Sequence, residues 1–460
     1  TIELSTGSHT FSTDNKILNI ETIATHTSGS TVILTGQTEG FTITGNSGAD
    51  IITGANGADI ITGGAGTDSI TGGAGADSIT GGTGNDTFTG GGGNDTFRVD
   101  SGSDTITDLA TGDDLIVSSG ATATANNVAN FVADSDTTNS GTATINADSG
   151  GSTITMTNSS SGAYTLSGGA GVDNLTGGSG ADTVTGAAGN DVLIGGAGVD
   201  TINGGADNDA LTGGADNDNL TGGAGNDTFN VDSGTDTITD LTSGDILNVS
   251  SGATANITNV TSFTATASSS NSGTVSISTD NSSGGTVDMT SASGNYTLSG
   301  QGSIDTLTGG GGNDIISGGT GADALTGGGG NDVITGGVDN DNMTGGSGND
   351  TFNVDSGTDT ITDLTTGDIL VVSSGATANA TNISGFVATG STSNSGTANL
   401  TASNSGGTID VGNSTTGSYN LTGLAGADTL KGNSNNDTIN AGSGNDTIDG
   451  RGGNDIINAG

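Results

Sequence analysis

The chain has 460 residues, 90 of them Gly, with no Pro and no Cys, and 50 acids against four bases give a formal net charge of −46. Absent Cys excludes disulfides, thiolate metal sites and a Cys nucleophile, and the charge repels nucleic-acid phosphates and anionic membrane surfaces. Gly without Pro or a triplet period is not collagen, and no run of 18 apolar residues offers a membrane span. Low hydrophobicity with high net charge is the composition of a disordered chain, unless the acids are placed on a lattice.

Residues 1–44 read as the end of a spacer-type β segment, with Thr31-Val32-Ile33-Leu34 and Phe41-Thr42-Ile43-Thr44 leading into the first repeat block. Residues 45–116 then carry Asp every nine positions, at Asp50, Asp59, Asp68, Asp77, Asp86 and Asp95. Asp104 and Asp113 continue the frame without the double glycines, with Ile106 and Leu115 at the apolar position. After a spacer (117–167), residues 168–248 hold Asp173, Asp182, Asp191, Asp200, Asp209, Asp218 and Asp227, then Asp236 and Asp245 in the weaker extension. A second spacer (249–299) precedes residues 300–371, with Asp305, Asp314, Asp323, Asp332, Asp341 and Asp350, then Asp359 and Asp368. A third spacer (372–422) leads to residues 423–460, with Asp428, Asp437, Asp446 and Asp455. Both ends read as cut from a longer array.

The 23 core units follow G-G-x-G-x-D-x-U-x, with U apolar. Position 1 is Gly in 22 units (Ala441 is the exception), position 4 is Gly in 18, position 5 is Asn in 13, and position 8 is apolar in all 23. Gly permits positive φ and close backbone approach, and Asn is the next most tolerant residue. The first six residues are therefore expected to form a tight turn. The last three, such as Ser69-Ile70-Thr71, form a short strand with one inward apolar side chain.

This pattern resembles the RTX family of calcium-binding nonapeptide proteins, whose repeat is a known signature of the parallel β-helix. The loop offers carboxylate and carbonyl oxygens and no soft ligand, which suits Ca²⁺ with its 6–8 oxygens better than Mg²⁺. The resemblance implies all-β, tandem parallel β-roll blocks with two nonapeptides per coil and ions between turns stacked on one side. The 29 in-frame aspartates are then the implied metal ligands, for roughly 15–21 Ca²⁺. Ions bound only to the folded chain would make folding depend on Ca²⁺.

The spacers are related to one another. Each opens V-D-S-G-[ST]-D-T-I-T-D-L, at Val99, Val231 and Val354, and each holds one Phe (Phe131, Phe263, Phe386) and one Tyr (Tyr164, Tyr296, Tyr419). Alternating stretches such as Gly273-Thr274-Val275-Ser276-Ile277-Ser278 indicate half-buried strands. The expectation is a calcium-poor β-solenoid or β-layer continuing the stack, with a flexible linker as the alternative and no significant helix anywhere.

Little else carries chemistry. His9 and His26 read as ordinary surface residues, and no nucleophile-elbow, zinc-protease or P-loop pattern occurs, so no enzyme is expected. Lys16, Arg98, Lys431 and Arg451 are too few for a basic patch. Asp207, Asp216 and Asp339 replace Gly at position 4, either by drift or as an added ligand or surface acid. Phe88, Phe97, Phe229 and Phe352, at the ends of runs, read as core filling. Ice binding lacks an ordered Thr face, since position 3 is Thr only at Thr83 and Thr320. The closest likeness in style is to RTX-type S-layer proteins, implying a secreted, self-associating subunit of a lattice or filament on a Gram-negative cell surface. Any polysaccharide anchor would lie outside this chain. The alternatives are the extender of a giant RTX adhesin, or the appendage of a secreted enzyme or toxin. At about 4.8 Å per coil the array would span roughly 120 Å.

Overall fold

The computed structural model describes residues 1–13 and 20–460, so Lys16 lies outside the described residues. Two compact units divide the chain, Thr1–Asp236 and Thr237–Gly460. Each repeats one event along its length, a short strand pairing in parallel with the strand one coil later. No helix occurs among the described residues.

Position 8 builds the core. In the first unit an apolar column runs in register through Val32, Ile52, Ile70, Phe88, Ile106, Ala125, Ile145, Leu166, Val184, Ile202 and Leu220. In the second, Phe263, Val287, Leu307, Leu325, Met343, Ile361, Ala380, Leu400, Leu421 and Ile439 do the same. All are buried. Successive strand residues face opposite sides, so position 8 points inward while positions 7 and 9, mostly Thr, Ser and Asn, face out. Phe88, Phe97, Phe229 and Phe352 lie fully inside, with the Phe88 and Phe97 rings stacked 6.4 Å apart.

Within the blocks the register advances 18 residues per coil, as in Ile70 to Phe88. The spacers keep the parallel stack but use longer coils: Thr122 pairs with Thr142, Ala143 with Tyr164, and Asn130 with Thr153. The nine-residue frame is lost there because the coil lengthens, while the solenoid continues. Part of the surplus is taken up by a bulge between Ala125 and Val128, where Asn127 adopts φ 58°. The same bulge recurs at Asn259 (φ 62°) and Asn382 (φ 62°). An extra residue with positive φ is how a bulge is made, and Asn tolerates that region better than any residue but Gly.

Truncating a column residue leaves a cavity that the stacked coils cannot close from either side. Ile202→Ala should therefore lower stability by about 2–4 kcal/mol. Asn203→Ala, on the exposed face of the same strand, should change it by less than about 0.5 kcal/mol. Urea midpoints in saturating Ca²⁺ measure both.

Candidate metal centre

Each in-frame aspartate points inward at the start of a strand: most sit one residue before it, at the end of the turn, while Asp104, Asp236 and Asp359 are its second residue. All except Asp446 and Asp455 in the last block are buried, at 5% exposure or less. The orientation has a visible cause. Oδ1 accepts a hydrogen bond from the backbone N–H of the aspartate one coil earlier: Asp50 to Asp68, Asp68 to Asp86, Asp182 to Asp200, Asp305 to Asp323 and Asp332 to Asp350, all at 2.7–2.8 Å. The weaker extensions join in, since Asp104 accepts from Asp86, Asp113 from Asp95, Asp236 from Asp218, Asp359 from Asp341 and Asp368 from Asp350.

The second oxygen is different. In eighteen of the 29, among them Asp77, Asp86, Asp200, Asp209, Asp323 and Asp332, Oδ2 is buried with no hydrogen-bond partner. An unpartnered buried carboxylate oxygen carries the full cost of its lost hydration. Its surroundings offer further oxygen. A Cβ placed on Gly72 would lie 2.3 Å from Asp77 Oδ2 and 2.6 Å from the Gly90 carbonyl oxygen of the next coil. On Gly195 it would lie 2.3 Å from Asp200 Oδ2 and 2.5 Å from the Gly213 carbonyl, and on Gly327 2.2 Å from Asp332 Oδ2 and 2.5 Å from the Gly345 carbonyl. Position 1 is therefore Gly because a side chain would fill the cradle where carboxylate and carbonyl oxygens converge. Oxygen-only donors with net negative charge fit a hard divalent cation.

The three glycines of the unit have separate roles. Position 1 needs space, with no positive φ at Gly63, Gly72 or Gly195. Positions 2 and 4 need conformation: Gly73 has φ 126° and Gly75 has φ 124°. Asp207 (φ 76°), Asp216 (φ 81°) and Asp339 (φ 86°) hold the position-4 conformation with exposed side chains, so they are surface acids, turned away from the inward carboxylates.

Position 5 does more than permit the turn. The Asn side chains form a second ladder on the outside of the turns, running the opposite way. Asn190 Oδ1 accepts from the N–H of Asn208, Asn208 from Asn226, Asn313 from Asn331, and Asn331 from Asn349, at 2.7–2.9 Å. The inward carboxylate thus reaches back one coil and the outward carboxamide reaches forward one coil.

Spacer motifs close the ladders. Tyr164, Tyr296 and Tyr419 stand 18 residues before Asp182, Asp314 and Asp437 and donate their backbone N–H to those carboxylates at 2.6–2.8 Å. Phe41 does so for Asp59. At the other end the T-D-L of the spacer opening supplies Asp108, which accepts from the Gly90 and Gly91 amides, and Asp363, which accepts from Gly345 and Gly346. Ser101 and Ser356 donate to the carbonyls of Gly82 and Gly337. His9 and His26 bond locally, to the Ser5 carbonyl and the Ser28 hydroxyl. Away from the frame, Lys431 and Arg451 both pair with Asp410.

A parallel β-solenoid whose turns present inward carboxylates at a nine-residue period is the architecture of a cation-binding β-roll. The RTX calcium-binding nonapeptide repeat family matches residues 42–70, 71–106, 167–202, 203–238, 293–325, 326–361 and 420–460. These matches cover more than half of the chain, which belongs to this family. Its repeats bind multiple Ca²⁺ ions. No curated protein matches the chain.

Burial and neighbouring carboxylates push these acids up. Burial is the larger cause, and it raises Asp77, Asp209, Asp314 and Asp341 from 3.8 to about 6, and Asp104, Asp200, Asp236 and Asp359 to about 7. A carboxyl whose folded pKa lies above its unfolded value holds its proton better in the fold. Its contribution is fully present below pH 3.8 and is lost as pH rises through 6 to 7. In chelator, the β-sheet circular dichroism signal should therefore be strongest near the acid end and fall towards neutrality. With Ca²⁺ present the signal should persist at neutral pH, and the Ca²⁺ midpoint should weaken on acidification as protons compete.

Proposed function

We propose that the chain is a secreted, non-catalytic structural protein of a Gram-negative bacterial cell surface, a subunit of an S-layer or surface filament whose folding and assembly depend on Ca²⁺. The observation that carries this reading is continuity. Within each unit the spacers share the parallel stack of the RTX blocks, so the described chain is built of coil after coil. Such a chain suits a wall or a fibre. RTX repeat proteins are typically secreted.

In this reading the in-frame aspartates with an unpartnered Oδ2 hold the ions, together with carbonyls of the turn glycines. Bound Ca²⁺ supplies the positive charge that four bases cannot give to 29 inward carboxylates. The chain does the rest. Oδ1 fixes each carboxylate to the preceding coil, position-1 Gly leaves room, and the apolar column excludes water. Where free Ca²⁺ is scarce the acids repel and the coils stay open. Where it is plentiful, ligand binding to the folded form alone drives folding by mass action. Strand pairing joins each coil only to its neighbours, so order propagates along the stack.

Chelation at neutral pH should abolish the β-sheet signal cooperatively, and Ca²⁺ should restore it. A signal indifferent to chelator would sink the calcium-driven reading. Electron micrographs of the native cell surface test the assembly: a periodic two-dimensional lattice or bundled filaments are expected. Isolated long stalks bearing a distal domain would instead identify an adhesin extender.

A further inference from the structure

One coil in each block departs from the pattern in three cases and keeps it in the fourth. The relevant aspartates are Asp59, Asp182, Asp314 and Asp437, each lying one coil after the aromatic starter. In all four, Oδ1 accepts from the starter's N–H. Oδ2 is where they divide. Asp59 Oδ2 accepts from the N–H of Ala55 at 2.6 Å, Asp182 from Gly178 at 2.6 Å and Asp437 from Asn433 at 2.8 Å. Asp314 Oδ2 is buried and unpartnered, like those in the middle of the blocks.

The backbone at position 2 makes the difference. Gly310, in the coil of Asp314, has φ 127°, and its strand runs on from Thr306 through Gly310. Ala55, Gly178 and Asn433 stay out of the positive-φ region. Their strands stop early, at Thr53, Thr176 and Lys431, and the chain turns so that the position-2 N–H faces its own carboxylate. The residues agree with this split. A Cβ at Gly178 would find its nearest atom 3.2 Å away, so Ala or Asn can replace Gly in the closed form. At Gly310 it would lie 2.6 Å from the Met289 carbonyl oxygen, on a backbone that L residues avoid. The same closure, by an N–H three residues earlier, occurs at the far end of the blocks, where Ala110 donates to Asp113, Thr242 to Asp245 and Thr365 to Asp368.

We infer that the conformation at position 2 decides whether a starter-coil aspartate is an ion ligand: Asp59, Asp182 and Asp437 are backbone-closed caps that hold no Ca²⁺, while Asp314 holds one. A carboxylate with an N–H aimed at each oxygen has its charge already satisfied. A cation entering there would meet two amide dipoles pointing their positive ends at it. This inference rests on the calcium-dependent reading of the fold, and it takes three of the four starter-coil aspartates out of the ion ladders.

The test counts Ca²⁺ on the full chain by native mass spectrometry at saturating Ca²⁺. The chain with Asp59→Asn, Asp182→Asn and Asp437→Asn together should keep the full count, and Asp314→Asn should lose one ion. Loss of three ions by the triple variant, or no loss on Asp314→Asn, would overturn the assignment. Should a variant fail to fold, calcium anomalous peaks in crystals of the unsubstituted protein decide the matter. A peak is expected beside Asp314, and a peak beside Asp59, Asp182 or Asp437 refutes the inference. A chain that takes up no Ca²⁺ at all overturns the calcium reading and the role of Asp314 together.

Discussion

The structure depends on a carboxylate whose two oxygens are used differently. One oxygen takes the amide of the preceding coil, which turns the side chain inward and fixes it. That same bond buries the other oxygen, in most positions without a protein donor. The two consequences cannot be separated. A side chain free to swing outward would keep its hydration and make no site, while one fully satisfied by amides would have no use for a cation. Binding competence follows from the half-satisfied state, and the cost of that state in the absence of a cation is the physical basis of the calcium-dependent folding proposed above.

Other features of the repeat serve this arrangement. Position-1 Gly is required by the space between the carboxylate and the next coil's carbonyl. Outside the starter coils, positions 2 and 4 mostly take positive φ, which favours Gly, and there other residues enter at a penalty, as at Ala187 (φ 84°), Leu424 (φ 73°) and Arg451 (φ 62°). The outward Asn ladder ties each coil to the next in the direction that the Asp ladder does not. Together they make the stack polar at its edges and dry along position 8, so that a chain only 29% hydrophobic still has a continuous core within each unit.

The nine-residue frame, the inward apolar position and the turn–strand division are all readable from the sequence, because a strict period exposes whatever repeats with it. The weaker extensions at Asp104 and Asp236 are readable for the same reason. Three things are not. The Asn ladder is invisible because turn tolerance and carboxamide hydrogen bonding favour the same residue at position 5. The aromatic starters Tyr164, Tyr296 and Tyr419 stand in register with aspartates, but what they contribute is a backbone N–H, which any residue but Pro has. The spacers' coil lengths are hidden because a coil of 20 or more residues with a bulge at Asn127 or Asn259 shares no fixed period with its neighbours. There the register is set by strand pairing and the inward apolar column, without a fixed coil length.

The charge takes on a different meaning once the acids are placed. Of the 47 Asp residues, 29 lie in the frame. The bases cannot neutralise them: there are four, and Lys431 and Arg451 are committed to Asp410, outside the frame. Neutralisation must come from solution, by protons at low pH or by divalent ions near neutrality. Lysines placed opposite the aspartates would have given an ion-paired solenoid that folds anywhere, including where it is made. Leaving the countercharge outside the chain ties the fold to the composition of the surrounding medium. In the calcium-dependent reading proposed above, the composition of a disordered protein and the structure of an ordered one are thus the same sequence under two ionic conditions.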